Sequence, residues 1–224
     1  MEVPVVKRTV IITAGGTGKR MGTDLPKQFL LLGNKPLLMH TLQVFHDFDP
    51  KAQIILTLPK DWIDTWKKLC DKYSFEIPHI TVLGGKERFH SIQKAVKIAQ
   101  GEYIAVHDGV RPLVSMETIK KVFKSAKRYG SGVPVLHPKD SLREVSGERN
   151  RPVERGNFRL VQTPQCFRSD WLKKAYEDKY SEAITDDATL VGNNGFPIHL
   201  TEGNEENIKI TTPFDLKIAT SLIK

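Results

Sequence analysis

Apolar positions along the chain follow two alternating periods. Short, nearly continuous apolar runs rich in β-branched residues occur at Val10-Ile11-Ile12, "AQIILTLP", "HITVL", "YIAVHDG" and "SGVPVL". Runs of this length bounded by Gly or Pro predict buried strands. Pro134 inside the fifth run predicts an irregular or edge position, because proline donates no ladder hydrogen bond. Between the runs the apolar spacing becomes helical. Pro36 opens a helix with Leu38, Leu42 and Phe45 on one face. "DWIDTWKKLCDKY" predicts a helix with Asp61 as its cap. The segment from Glu87 to Gln100 predicts a helix with Ile92, Ala95, Val96 and Ala99 on its inner stripe. "SMETIKKVFKSAKRYG" predicts a helix with Ser115 at its cap, although Thr118 stands where a capping box takes Glu or Gln.

Strands alternating with helices of 10 to 15 residues predict an α/β fold with a doubly wound, mostly parallel sheet. In such sheets ligands bind outside the carboxyl ends of the strands. Glycine-containing turns after Thr13, Leu83 and His107 would meet on that rim. From about 139 to 162 the pattern breaks into "PKDSLREVSGERNRPVERGNFRLVQ", polar and weakly alternating, with Ser-Gly-Glu as a turn. That predicts an exposed β-arm inserted in one domain spanning 1–224, rather than a second domain.

Composition narrows the partners. The 224 residues are 39% hydrophobic and 27% charged, an ordinary globular balance. Thirty-four Lys and Arg against 26 Asp and Glu leave a net charge of +8, which favours anionic ligands. No Lys/Arg block is dense enough for a nucleic-acid arm. The two cysteines, Cys70 and Cys166, form no metal-spaced cluster, and Cys70 falls in a helical pattern as a small buried hydrophobe. The N-terminus "MEVPVVKRTV" is too short and polar for a signal peptide, and no apolar run approaches the roughly 18 residues of a membrane span. The expected setting is the cytoplasm, without nucleic-acid or membrane partners.

The sharpest chemical signal is "ITAGGTGKRM", Ile12 to Met21. A P-loop needs GxxxxGK followed by Ser or Thr, but Arg20 follows Gly18-Lys19 and Thr13 stands where the first glycine belongs. A dinucleotide loop needs a third glycine where Met21 stands. What remains is a backbone N–H cradle beside Lys19 and Arg20, with Pro26-Lys27-Gln28 downstream, suited to a polyanion. The competing reading is a tight strand-to-helix turn with solvated bases.

The stretch "AGGTGKRM…LPKQFLLLGNKPLLMHTL", with "GGKERFHSI", "HDGVRP", "TPQCF", "ITDDATLVG" and "EENIKITTPFDL", resembles the 2-C-methyl-D-erythritol 4-phosphate cytidylyltransferases of isoprenoid precursor synthesis along nearly the whole chain. The resemblance implies a nucleotidyltransferase fold and a reaction in which methylerythritol phosphate attacks the α-phosphorus of CTP and pyrophosphate leaves. It implies Arg20, Lys27, Asp108 and Lys209 as catalytic residues. Lys27 would sit against the α-phosphate and Arg20 against the β/γ end. Ala14, Gly15, Gly16, Gly18, Lys19, Gly85, Arg88 and Ser91 would hold the nucleotide, with Lys19 either on phosphate or facing water. Arg111, Ser141, Arg155, Thr163 and Thr185 would hold the acceptor, Arg111 either on its phosphate or bracing Asp108. Asp108 would also ligate Mg²⁺ or another divalent cation, and the arm would reach across a homodimer.

This chain departs from the family at Lys86, Gly109, Val110 and Ser141, the last keeping a hydroxyl where the family has Thr. Asp186 and Asp187 read as caps of a helix near Ala188 in preference to metal ligands. Two other readings stay open here: a ribitol 5-phosphate cytidylyltransferase, and a non-catalytic nucleotide-binding module.

Overall fold

The computed structural model of the chain describes residues 7–16 and 25–223. Gly18, Lys19 and Arg20 therefore lie outside the described residues. In chain order the elements are β1 (Arg8–Thr13), β2 (Leu31–Leu32), β3 (Lys35–Pro36), α1 (Leu37–Phe48), β4 (Gln53–Leu58), α2 (Ile63–Lys72), β5 (Ile80–Leu83), α3 (Arg88–Ile98), β6 (Tyr103–Asp108), α4 (Met116–Tyr129) and β7 (Ser131–Leu136). The arm is β8 (Leu142–Ser146) and β9 (Arg149–Val153). Then follow β10 (Leu160–Val161), β11 (Gln165–Arg168), α5 (Ser169–Ala175), α6 (Asp187–Asn193), β12 (Leu200–Glu202) and α7 (Pro213–Leu222).

The main sheet runs β10-β7-β11-β6-β1-β4-β5, with β12 on β7. The pairs β1–β4, β1–β6, β4–β5 and β7–β12 are parallel. The fold is thus α/β with a mixed, mostly parallel sheet. The first strand takes a central place, with β4 on one side and β6 on the other. That arrangement opens a crevice at its carboxyl end. Two apolar layers cover the sheet. One packs Leu42, Phe45, Trp66 and Val122 from α1, α2 and α4. The other packs Ile92, Leu172 and Val191 from α3, α5 and α6.

The predicted helices form with small changes at their ends. Ser115 accepts the Thr118 N–H at the start of α4, and Gly130 closes that helix at φ 90°. Asp61 does not cap α2; it lies inside a 3-10 turn, Lys60–Trp62, and Trp62 takes the cap position without a side-chain hydrogen bond. Cys70 is half-buried, at the margin of the first layer.

The strand prediction needs two corrections. The antiparallel strand β11 separates β6 from β7; its sequence, Gln165 to Arg168, is too short and too polar at its ends to show a period. Pro134 is not on an edge, because β7 is paired on both sides. Its carbonyl accepts the Gln162 N–H, so its missing N–H faces the break between β10 and β11, where no ladder partner is required. Within the arm, β8 and β9 pair only with each other, whereas Leu160 and Val161 of the expected arm join the main sheet.

Candidate active site

The three glycine turns do converge. A cleft of about 330 Å³ opens where β1, β4 and β6 end, lined by residues of all three turns and by Lys27 and Lys209. Four cationic side chains, Lys27, Lys86, Arg88 and Lys209, face two carboxylates, Glu87 and Asp108. The excess of positive charge suits a polyanionic ligand.

Lys27 is set by apolar anchoring nearby. Phe29 is buried and stacks on Trp66, with ring centroids 6.1 Å apart. That anchor fixes the 3-10 turn Lys27–Phe29 and displays Lys27 at the cleft. Gln28 is also buried and donates to the Ala14 carbonyl at 2.7 Å, tying this turn to the start of the glycine loop. A Cβ on Gly16 would touch the Lys27 Cε at 3.5 Å, so the lysine stem crosses the loop backbone. Gly85 has no room for a side chain, since a Cβ there would lie 2.3 Å from the His90 Cβ. Its N–H donates to the Ser91 hydroxyl at 2.9 Å, and that hydroxyl donates to the Glu87 carbonyl at 3.2 Å. The turn after β5 is thereby folded onto the first turn of α3.

Asp108, the last residue of β6, is nearly buried. Its Oδ2 lies 3.0 Å from Lys209 Nζ and 3.3 Å from Arg111 Nε, and its Oδ1 lies 3.7 Å from Arg88 Nε. Burial alone would push this carboxyl up. Arg88 first, then Lys209 and Arg111, override it and hold the carboxyl well below the usual carboxylate range. Lys209 is brought there by Ile210, which is buried among Leu32, Leu37 and Val110 and donates its N–H to the Val110 carbonyl.

Beneath Asp108 lies a fully buried histidine. His107 Nε2 is 3.0 Å from the Arg111 carbonyl and therefore carries the proton; Nδ1 then accepts from the Thr163 hydroxyl at 3.0 Å. That hydroxyl accepts the Asp108 N–H at 3.1 Å. Desolvation pushes the imidazole pKa down to about 4, so it is neutral at pH 7.

The predicted residues that the structure describes divide into four groups. Ala14, Gly15, Gly16, Lys27, Gly85, Arg88, Ser91, Asp108 and Lys209 line one cleft. Arg111 and Thr163 stand behind it. Arg111 braces Asp108 and donates to the Asn207 carbonyl at 2.6 Å, while the Thr163 hydroxyl is engaged in the buried network. Thr185 lines a small neighbouring cavity that shares Arg88 with the cleft. Ser141 and Arg155 do not line the cleft of their own chain; Arg155 donates to the Lys139 carbonyl at the base of the arm. Asp186 caps α6 through the Thr189 N–H, as its sequence position predicts. Asp187 does not cap: it is buried and pairs with Arg88 at 2.7 Å. Sequence reasoning assigned no role to Gln28, His107 or Asn207. A polar residue set inside an apolar run, as in "KQFL" and "AVHD", is the signal that marks the first two.

The sequence profile of the 2-C-methyl-D-erythritol 4-phosphate cytidylyltransferases (IspD) matches residues 8–224. The chain belongs to this family. It is 48% identical to the 2-C-methyl-D-erythritol 4-phosphate cytidylyltransferase of Bacteroides fragilis, over 96% of this chain and 99% of that one. Its fold overlays on the crystal structure of the corresponding enzyme of Thermus thermophilus with a TM-score of 0.77 and 33% identity, over 97% and 98% of the two chains. It also overlays on the bifunctional IspDF of Campylobacter jejuni with a TM-score of 0.81 and 29% identity, covering 95% of this chain and 54% of that longer one. The chain is accordingly an enzyme, a cytidylyltransferase, and the readings as a ribitol phosphate enzyme or a non-catalytic module fall away.

Proposed function

We propose a division of labour for the reaction this chain catalyses, transfer of the cytidylyl group of CTP to 2-C-methyl-D-erythritol 4-phosphate with release of pyrophosphate in isoprenoid precursor synthesis. One observation carries it: a carboxylate held ionised by three cations, in the wall of a glycine-lined cleft. The nucleophile is an acceptor phosphate oxygen that already bears charge. It forms a bond to the α-phosphorus as the bond to the bridging oxygen breaks, and pyrophosphate departs with that electron pair. No general base is required, which agrees with a His107 whose ring nitrogens are both engaged. The protein's task is to bring two polyanions together and neutralise charge at the reacting phosphorus.

Ala14, Gly15, Gly16, Gly85, Arg88 and Ser91 hold the cytidine end. Lys27 faces the α-phosphate. Gly18, Lys19 and Arg20, outside the described residues, take the β/γ end. Asp108 and Lys209 mark the junction of donor and acceptor, with Arg111 and Thr163 fixing Asp108 and Thr185 on the acceptor side of Arg88.

Among the described residues no group of three His, Cys, Asp or Glu side chains could enclose a metal. A single ionised carboxylate fits Mg²⁺, which commonly keeps one or two protein carboxylates and completes its shell with phosphate oxygens and water. Asp108 would hold it, and the ion would supply charge neutralisation on the phosphates.

We take the chain as one nucleotidyltransferase domain with an arm that serves a second copy. The support is that β8 and β9 pair as strands only with each other and that Val145 is 69% exposed. Ser141 and Arg155 would then reach the acceptor in the partner's cleft. No described helix is long and apolar enough to cross a membrane, and the cytoplasm is the proposed setting. Pyrophosphate release measured with CTP and either methylerythritol phosphate or ribitol 5-phosphate tests the reaction. Turnover is expected with the first acceptor; turnover with ribitol phosphate alone, or with neither, contradicts it.

A further inference from the structure

Arg88 begins α3 and points its guanidinium between two carboxylates. Its Nη2 lies 2.7 Å from Asp187 Oδ2 and its Nε 3.7 Å from Asp108 Oδ1. Asp187 is wholly buried and is not among the residues that line the cleft. Its other oxygen accepts the Tyr176 hydroxyl at 2.5 Å, and Tyr176 is itself buried against the Phe89 ring, with centroids 5.0 Å apart. Capping does not account for this carboxylate, because Asp186 caps α6. A buried carboxylate is costly to keep, and among the described residues the cation that pairs with it is Arg88, a residue of the cleft.

We infer that Asp187 is a positioning residue for nucleotide binding: it holds the Arg88 guanidinium on the cleft wall and off Asp108. The distances show the division. Lys209 and Arg111 both reach Asp108 Oδ2, whereas Arg88 stays 3.7 Å from Oδ1, beyond a direct hydrogen bond. Without the charge of Asp187, the carboxylate left to Arg88 is Asp108. The guanidinium then closes on that residue, and both groups are withdrawn from the ligand. This inference rests on the proposed role of Arg88 toward CTP.

The test is CTP binding by calorimetry on the full chain, with melting temperatures, for the wild type, Asp187→Asn, Tyr176→Phe, Arg88→Met and the Arg88→Met/Asp187→Asn pair. Asp187→Asn keeps the shape and removes the charge, and is expected to weaken CTP binding about tenfold, a difference of about 1.4 kcal/mol. Tyr176→Phe leaves the ion pair in place and is expected to lower the melting temperature while keeping CTP affinity within about twofold of wild type. In the Arg88→Met background Asp187→Asn is expected to add almost nothing, the signature of action through Arg88. Asp187→Asn binding CTP like the wild type, or costing the same factor with and without Arg88, would overturn the inference and leave Asp187 a support of the fold. Unaltered CTP binding by Arg88→Met would overturn the reading of Arg88 itself.

Discussion

The cleft and the arm are built from similar polar residues and hold them in opposite ways. In the cleft, charge is buried and cross-braced: Asp108 meets three cations, its N–H is taken by Thr163, and His107 locks Thr163 to Arg111. In the arm, charge is solvated. Glu144 and Arg151 pair at 2.5 Å, yet both side chains are more than half exposed. Only Leu142 and Val153, at its base, are half-buried. Preorganisation of charge in a water-poor site gives it catalytic leverage, while exposed pairs contribute little to stability. The charges of the cleft are therefore braced within one chain, whereas those of the arm pair mainly in solvent.

The largest expected effect breaks this comparison on the cleft side. Lys27→Ala should lower kcat about 10²–10³-fold, the scale seen when one charge-stabilising donor is removed. Steady-state kinetics with both substrates checks it, and a loss confined to KM would show that Lys27 only binds nucleotide.

A smaller effect sharpens the contrast by pH. His107 is neutral in the fold, with its pKa depressed from 6.5 to about 4 by desolvation. The unfolded chain therefore takes up this proton first as pH falls. Its contribution is whole above about 6.5, shrinks as pH drops through that value, and is gone near 4, a loss on the order of 3 kcal/mol. Urea unfolding from pH 7.5 to 4.5 should show it, and His107→Gln should flatten the profile. An equally steep profile in the variant would place the acid-sensitive group elsewhere.

The smallest effect belongs to the arm. Glu144→Ala should change chain stability by no more than about 0.5 kcal/mol. A loss well above that in a dilute sample would mean that the arm packs within its own subunit.

The parts legible in the sequence are those with a period or a punctuation mark. The strands β1, β4 and β6 and the helices α1, α3 and α4 follow from apolar spacing, and the glycine turns mark the cleft floor. The short strands β10 to β12 carry two to four residues each. Their pairing is set by tertiary contact, which no local pattern encodes. The same limit hid the buried ties. Gln28, His107 and Asp187 are polar residues whose partners lie 14, 56 and 99 positions away. Thr163 fell between the two cases: its motif was visible, but its hydroxyl serves the network behind Asp108.

The central claim, that each site joins the cleft of one chain to the arm of another, is tested most directly by mixing two disabled variants. Lys27→Ala breaks the cleft and Arg155→Ala breaks the arm. After subunit exchange, half of the dimers are mixed, and each mixed dimer pairs one doubly damaged site with one intact site. The account predicts recovery to about a quarter of wild-type activity. A mixture no more active than the sum of its two components, under conditions where exchange is verified, would contradict it.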